Sequence, residues 1–270
     1  MGGGVEANIG GQYIDSMPAR PLLPLCPRPP ALVERVLMRC PGQCAVCRAW
    51  SGQHVCGDCL ARYARPVPRC WTCAARLPPA LIGRREAKCG ACLRNPPPLD
   101  RTLAALDYAF PWDGLLQRYK FHQAIELRAS LVDRLDQTVG LAEVDAPDWL
   151  LAVPLNAQRQ RERGYNQSHE LARALARRRR LHCDGELLLR VRDTSRQTQL
   201  NAKDRAANVR GAFAVEPGRR KQLLGSHVVL VDDVMTSGAT LYELARVLRQ
   251  AGATNVQAWV VARTPDPTSD

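Results

Sequence analysis

The sequence predicts an α/β fold: a mostly parallel sheet covered by helices, preceded by a cysteine-rich, metal-binding module. Three observations carry this expectation. From about residue 99 onward, short β-branched and aliphatic runs alternate with amphipathic stretches, the pattern of a parallel sheet with crossover helices. One run, Val228-Val-Leu-Val231, leads into two adjacent acids and the small-residue turn Thr236-Ser-Gly-Ala-Thr240, and a helical stretch follows. Eight of the 11 cysteines form four C-x-x-C pairs between Pro41 and Leu93.

Taken in order, residues 1–40 are rich in Gly and Pro and are expected to be poorly ordered. The opening residues lack a basic segment and an apolar core, so no signal peptide is read. No run approaches the roughly 18 apolar residues of a membrane span, so no membrane insertion is expected and the cytoplasm is the expected location. Residues 41–95 form the cysteine module, and Pro96-Pro-Pro98 is a stiff spacer. The sheet domain is placed at 99–264, with a tail at 265–270. Within it, strands are expected at Arg101 to Phe110, Trp149 to Val153, Leu187 to Val191, Val209 to Val215, Val228 to Val231 and Val256 to Val261. Helices are expected from Asp113 to about Leu135 and from Ser168 to Arg180.

The cysteine pairs are Cys44/Cys47, Cys56/Cys59, Cys70/Cys73 and Cys89/Cys92. Nothing in the sequence directs export, which argues against a disulfide framework. Tandem C-x-x-C pairs suit Cys₄ zinc sites, because two thiolates two residues apart converge on one metal and a second pair closes the tetrahedron. Sequential pairing gives one Zn²⁺ on Cys44, Cys47, Cys56 and Cys59 and a second on Cys70, Cys73, Cys89 and Cys92. An interleaved cross-brace is the alternative. Both zincs would be structural. Cys26, Cys40 and Cys183 are read as plain thiols.

The turn after the Val228 strand suits an anion. Thr236, Ser237, Gly238, Ala239 and Thr240 offer backbone N–H groups and three hydroxyls at a helix N-terminus, and Gly238 lets the backbone approach a ligand closely. Asp232 and Asp233 would repel a phosphate, but they can accept hydrogen bonds from ribose hydroxyls, beside a divalent metal. The plain alternative is an ordinary capped helix. The segment resembles the 5-phosphoribosyl-1-pyrophosphate (PRPP) motif of type I phosphoribosyltransferases. No G-K-[ST] follows, which excludes a Walker A loop, and no G-x-G-x-x-G fingerprint is present.

Net charge is +12, and it is concentrated: 17 Lys/Arg face 7 Asp/Glu between Leu151 and Lys221. Such asymmetry points to an anionic partner, either pyrophosphate or nucleic acid. Arg159, Arg161 and Arg163 sit at alternate positions, which suggests a loop that sets guanidinium forks against a diphosphate, with Arg159 and Arg163 favoured. The polar stretch Arg190 to Asn208 carries Arg196, Lys203 and Arg205 and is expected to act as a lid. Aromatics make up only 5% of the chain, few for a single-strand stacking groove.

Three segments together resemble the ComF (GntX-like) family of bacterial competence and DNA-uptake proteins. They are V-P-L-x-x-x-R-x-x-x-R-G-[FY]-N-Q at Val153 to Gln167, R-x-R-x-T-x-x-Q-x-x-L at Arg190 to Leu200, and R-x-x-N-V-x-G-A-F at Arg205 to Phe213. The resemblance runs from about Cys44 to Arg263. It implies a double zinc ribbon joined to a type I phosphoribosyltransferase-like domain. Asp232, Asp233 and Thr236 to Thr240 would bind the ribose 5-phosphate, Arg159 and Arg163 would lie near pyrophosphate, and Arg196 and Lys203 would lie on the mobile loop. PRPP with Mg²⁺ is the implied ligand, and transfer to an unknown acceptor with release of pyrophosphate is the implied reaction. Asp232, Asp233, Arg159 and Arg163 would be the catalytic set. The alternative is a non-catalytic PRPP sensor or single-stranded-DNA-binding protein, with competence-machinery proteins as partners. Two positions depart from the pattern: Asn156 stands where relatives often carry His, and Ser237 where Thr is common.

Overall fold

A computed structural model describes residues 42–81, 84, 86–192 and 202–265, without the side chains of 157 and 202–205. In chain order the elements are β1 (Gly42–Gln43), β2 (Trp50–Ser51), α1 (Gly57–Tyr63), α2 (Gly90–Arg94), β3 (Arg101–Asp107), α3 (Trp112–Phe121), α4 (Leu127–Leu141), β4 (Trp149–Ala152) and α5 (Ala157–Arg163). There follow α6 (Gln167–Arg179), β5 (Cys183–Asp184), β6 (Leu188–Arg190), α7 (Ala202–Val209), β7 (Phe213–Val215), β8 (His227–Met235), α8 (Ala239–Gln250) and β9 (Asn255–Arg263).

The main sheet is five-stranded and wholly parallel, in the order β3-β9-β8-β4-β5. Its central strands are apolar at successive positions because both faces are covered. Val229, Val231, Trp259 and Val261 pack with α3, α4 and α6 on one face. Val228, Leu230, Ala258 and Val260 pack with α8 on the other. The single-residue alternation of a strand therefore feeds two cores at once. Among the described residues, no helix is long and apolar enough to cross a membrane.

Three expectations are corrected. The stretch from Asp113 to Leu135 is two helices, α3 and α4, because Gln123 takes a left-handed φ of 52° between them. Phe121 and Ile125 lie at this break and are exposed. The segments at Leu187–Val191 and Val209–Val215 do not join the parallel sheet. Three residues of each pair antiparallel as a separate β6–β7 ribbon, with Leu188 and Phe213 buried on the α8 side. The fifth sheet strand is instead β5, two residues long and too short to leave a period in the sequence.

The cysteine segment packs on both faces of the sheet. Cys44 and Cys59 belong to the core with α3, α4 and α6, whereas Cys70, Cys73 and Cys92 belong to the core with α8. The turn that holds Cys70 and Cys73 runs along the open side of β3. There Thr102 N–H donates to the Trp71 carbonyl at 2.9 Å and the Thr102 hydroxyl to the Thr72 carbonyl at 2.6 Å. These bonds cap a sheet edge that would otherwise be free to pair.

Candidate functional site

Each cysteine cluster is built the same way. A first C-x-x-C pair lies in a tight turn closed by a left-handed residue, Arg48 at φ 65° or Ala74 at φ 55°. The second pair opens a short helix, with Cys56 and Cys89 as the N-caps of α1 and α2. The ligand atoms of Cys44, Cys47, Cys56 and Cys59 all lie within 4.8 Å of one another, as do those of Cys70, Cys73, Cys89 and Cys92. Pairing is therefore sequential. The sulfurs of Cys47 and Cys56 are 3.6 Å apart and those of Cys73 and Cys89 are 3.7 Å apart. Zn–S bonds of about 2.3 Å place tetrahedral sulfurs about 3.8 Å apart, so both clusters fit zinc. Backbone N–H groups of Cys56 and Cys89 point at the sulfurs of Cys44 and Cys70, at 3.3 Å each. Burial works to raise the Cys44 thiol, but the N–H groups of Cys56, Cys47 and Val46 outweigh it and bring it to about 6. Burial pushes Cys59 up to about 12 and Cys92 likewise to about 12. Four such sulfurs cannot ionise together without a cation among them. Both sites could hold zinc, and all four corners of each are protein thiols.

The second centre is a cavity of about 710 Å³ at the carboxyl ends of β4 and β8, where open α/β sheets gather ligands. Asp232, Asp233, Thr236, Ser237, Gly238, Ala239, Thr240, Arg159 and Arg163 all line it. Arg196 lies outside the described residues. Lys203 lies on α7, and its side chain is likewise undescribed.

β8 continues past the aliphatic run, so both acids are strand residues and the turn is Thr236 to Gly238. Asp232 Oδ1 accepts from the Ser168 hydroxyl at 2.8 Å and from the Asp233 N–H at 2.9 Å. Asp233 Oδ1 is 3.0 Å from the Lys120 ammonium, which reaches in from α3. Burial, and then the neighbouring Asp233 charge, push the Asp232 carboxyl up to about 7, opposed by Lys120 and the Ser168 hydrogen bond.

Gly238 is the N-cap of α8, with φ 81° and no capping side chain. A Cβ there would lie 2.6 Å from Met235 Cε and from the Tyr242 ring, so neither backbone nor space admits another residue. The first helical bond is Tyr242 N–H to the Gly238 carbonyl, which leaves the positive end of the helix opening on the cavity. Arg263 fixes the turn from behind. Its guanidinium donates to the carbonyls of Met235, Thr236 and Cys73, tying the anion-binding turn to the second cysteine cluster.

The arginines of 159–163 stand on a helix, α5, where the sequence suggested a loop. Asn156 caps it by accepting from the N–H groups of Gln158 at 2.7 Å and Arg159 at 3.2 Å, and Gly164 ends it at φ 79°. Arg159 and Arg163, one turn apart, both line the cavity; Arg161 does not. Arg163 donates to Gln167 Oε1 at 2.8 Å and stacks 4.6 Å from the Phe121 ring centroid. Burial holds its pKa below the usual value.

Sequence reasoning missed Lys120, Ser168, Gln167, Tyr108 and Phe121, all of which line the same cavity, as does Arg190, the first residue of the expected lid. Ser168 and Gln167 stood within or beside a quoted motif, and that adjacency was the available signal. The arginine run ending α6 is partly neutralised: Arg178 pairs with Asp133 and Arg179 with Asp136, at 2.5 Å each.

A phosphoribosyl transferase domain profile matches residues 169–270. The DNA utilization protein YhgH of Salmonella typhi is 35% identical over 235 residues, covering 84% of this chain and all of that protein. Competence protein F of Haemophilus influenzae is 32% identical over 77% of this chain and 90% of its own length. Competence protein ComFC of Bacillus subtilis is 24% identical over 82% of this chain and 95% of its own. The profile's segment holds the acid–turn–helix site, and identity of this extent over nearly whole relatives makes the chain a member of the competence protein F (ComF) family, with a phosphoribosyltransferase-type domain.

Proposed function

We propose that the 710 Å³ cavity binds PRPP and that the protein transfers its phosphoribosyl group to an acceptor, releasing pyrophosphate. One observation carries this reading: a single cavity sets an acid pair on β8 against a helix N-terminus on one side and two guanidinium groups of α5 on another. The turn at 236–240 takes the 5-phosphate, and Asp232 and Asp233 hold the ribose diol. Arg159 and Arg163 stabilise the departing pyrophosphate as its charge develops, the electrostatic route to catalysis. Asp232 and Asp233, the carboxylates beside the loop, would hold Mg²⁺, which when bound would supply charge neutralisation. Lys120 pairs with Asp233 at 3.0 Å and orients it before the ligand arrives. The acceptor adds to C1 as the C1–O bond to pyrophosphate breaks, and the electron pair leaves with the pyrophosphate. The two Zn²⁺ ions are structural, and the setting is cytoplasmic and linked to DNA uptake.

The test is calorimetric titration of zinc-loaded protein with PRPP and Mg²⁺, beside Asp232→Asn/Asp233→Asn. Loss of both carboxylate charges should weaken binding by about tenfold or more, the scale of hydrogen bonds to charged groups. A well-folded parent that gives no heat, with or without ribose 5-phosphate as competitor, removes the reading. The second reading is a DNA-binding protein without catalysis: the relatives' names speak of DNA utilization and competence, and a steep salt dependence of DNA affinity in the same preparation would then support it.

A further inference from the structure

A second cavity, of about 520 Å³, lies between α1, the segment after it, the first half of β3 and the last turns of α4. It shares no lining residue with the first. While Leu131, Leu135 and Val139 of α4 enter the core, a neighbouring stripe of the same helix, Arg134, Gln137, Thr138 and Leu141, faces this cavity. Arg101, from the edge strand, lies 3.8 Å from the Trp71 ring centroid and donates to the Ala142 carbonyl at 3.1 Å. Arg65 is steadied by an Nε hydrogen bond of 2.9 Å to the Ala61 carbonyl.

The charge balance is one-sided. Among the described residues no Asp or Glu lines the cavity, and neither Arg65, Arg101 nor Arg134 is in an ion pair. The fourth guanidinium, Arg69, is already committed to Asp107 at 2.9 Å. Glu86 acts on Arg101 from outside the lining, against the desolvation that holds this guanidinium below its usual value. Arg65, Arg101 and Arg134 border one cleft with no acid in its lining, and an anion among them relieves the repulsion of like charges. The walls also carry Leu60 and Leu103, and Leu141 is left 72% exposed. A volume of about 500 Å³ with apolar walls is that of a site for an organic molecule, too large and too apolar for an inorganic anion alone.

We propose that this cavity is a second ligand site and takes a 5′-mononucleotide. Its phosphate lies between Arg65 and Arg134, and its base lies against the flat Arg101–Trp71 stack, within reach of the Gln137 carboxamide. Guanidinium planes and indole rings both accept a stacked base, and forked guanidinium groups match phosphate oxygens. The proposal does not depend on what the first cavity binds.

The probe is N-methylanthraniloyl-AMP, titrated by fluorescence into the zinc-loaded full chain. Arg65→Ala/Arg134→Ala should bind it about tenfold or more weakly, the loss expected for truncating charge-assisted hydrogen bonds. Arg134→Lys should restore much of that affinity, and Asp232→Asn/Asp233→Asn should keep the arginine-dependent binding while losing any at the first cavity. AMP should displace the probe while inorganic phosphate and a six-residue oligothymidylate do not. No binding by a folded parent, or unchanged binding by the double arginine variant, overturns the proposal. Loss of binding in the aspartate variant would move the nucleotide to the first cavity. Displacement by phosphate as readily as by AMP would leave only an anion site, and preferential displacement by the oligonucleotide would make the ligand a strand. Each of these also overturns it.

Discussion

Asp232 sits between a hydroxyl, a second carboxylate and a lysine, and its carboxyl is pushed up to about 7 by burial and by Asp233. A carboxyl whose folded pKa exceeds its unfolded value near 3.9 holds its proton more tightly in the native state. Its stabilising contribution is complete below about pH 4 and lost as pH rises through about 7. Asp232→Asn cannot ionise and should lack this dependence. From about pH 5 to about pH 8, urea unfolding of the parent should lose on the order of 1 kcal/mol or more relative to the variant; parallel profiles would show that Asp232 is ionised throughout. Asp232, Asp233 and the turn at Thr236 to Thr240 can be read from sequence because their residue types at that spacing suit few tasks besides holding a phosphorylated sugar. Lys120 cannot. A lysine in the last turn of an amphipathic helix is ordinarily a partner for the helix dipole, and only the packing of α3 brings it to Asp233.

Helix α5 shows how an element can be hidden by its own composition. Three arginines at alternate positions match neither apolar helical period, and the segment has no buried stripe to reveal it. The Asn156 cap and the left-handed Gly164 define its ends, and those two residues were the legible signal. The Asn156 side chain serves the helix end. Asn156→Ala should cost about 1 kcal/mol of stability, the usual worth of such a cap. It should cost proportionally more in ligand affinity, because Arg159 and Arg163 both depend on α5 for their placement. Chemical denaturation and titration with PRPP on one preparation measure the two effects; equal losses would mean that α5 forms without its cap. The parallel sheet itself was readable wherever strands reached four residues. The β6–β7 ribbon escaped because three-residue pairings carry too little pattern to distinguish a ribbon from a sheet.

At the scale of the molecule, the cysteine clusters divide between two cores on opposite faces of one sheet, and Arg263 links the second cluster to the anion-binding turn. The C-x-x-C spacing announced the metal sites, but spacing cannot say what a metal module packs against. Stripping zinc with a chelator should therefore do more than unfold a peripheral segment. Thermal unfolding should shift as one transition to lower temperature, by several degrees for each roughly 1 kcal/mol lost, and PRPP affinity should fall with it. A sheet that melts unchanged after both zincs leave would show that the two parts are energetically separate.

The edge strand β3 has a single sheet neighbour, β9, which lies about 150 residues later and near the end of the described chain. On a ribosome, all eight paired cysteines emerge before that neighbour exists. Contacts separated so widely in sequence form late, and the intervening chain must wait for them. The thiols thus meet the cell first as an unprotected string and gain their two supporting surfaces only when the last strand is made. A message broken off before Asn255 would release a product whose cysteines have no sheet to wrap, open to oxidation and to the wrong metal.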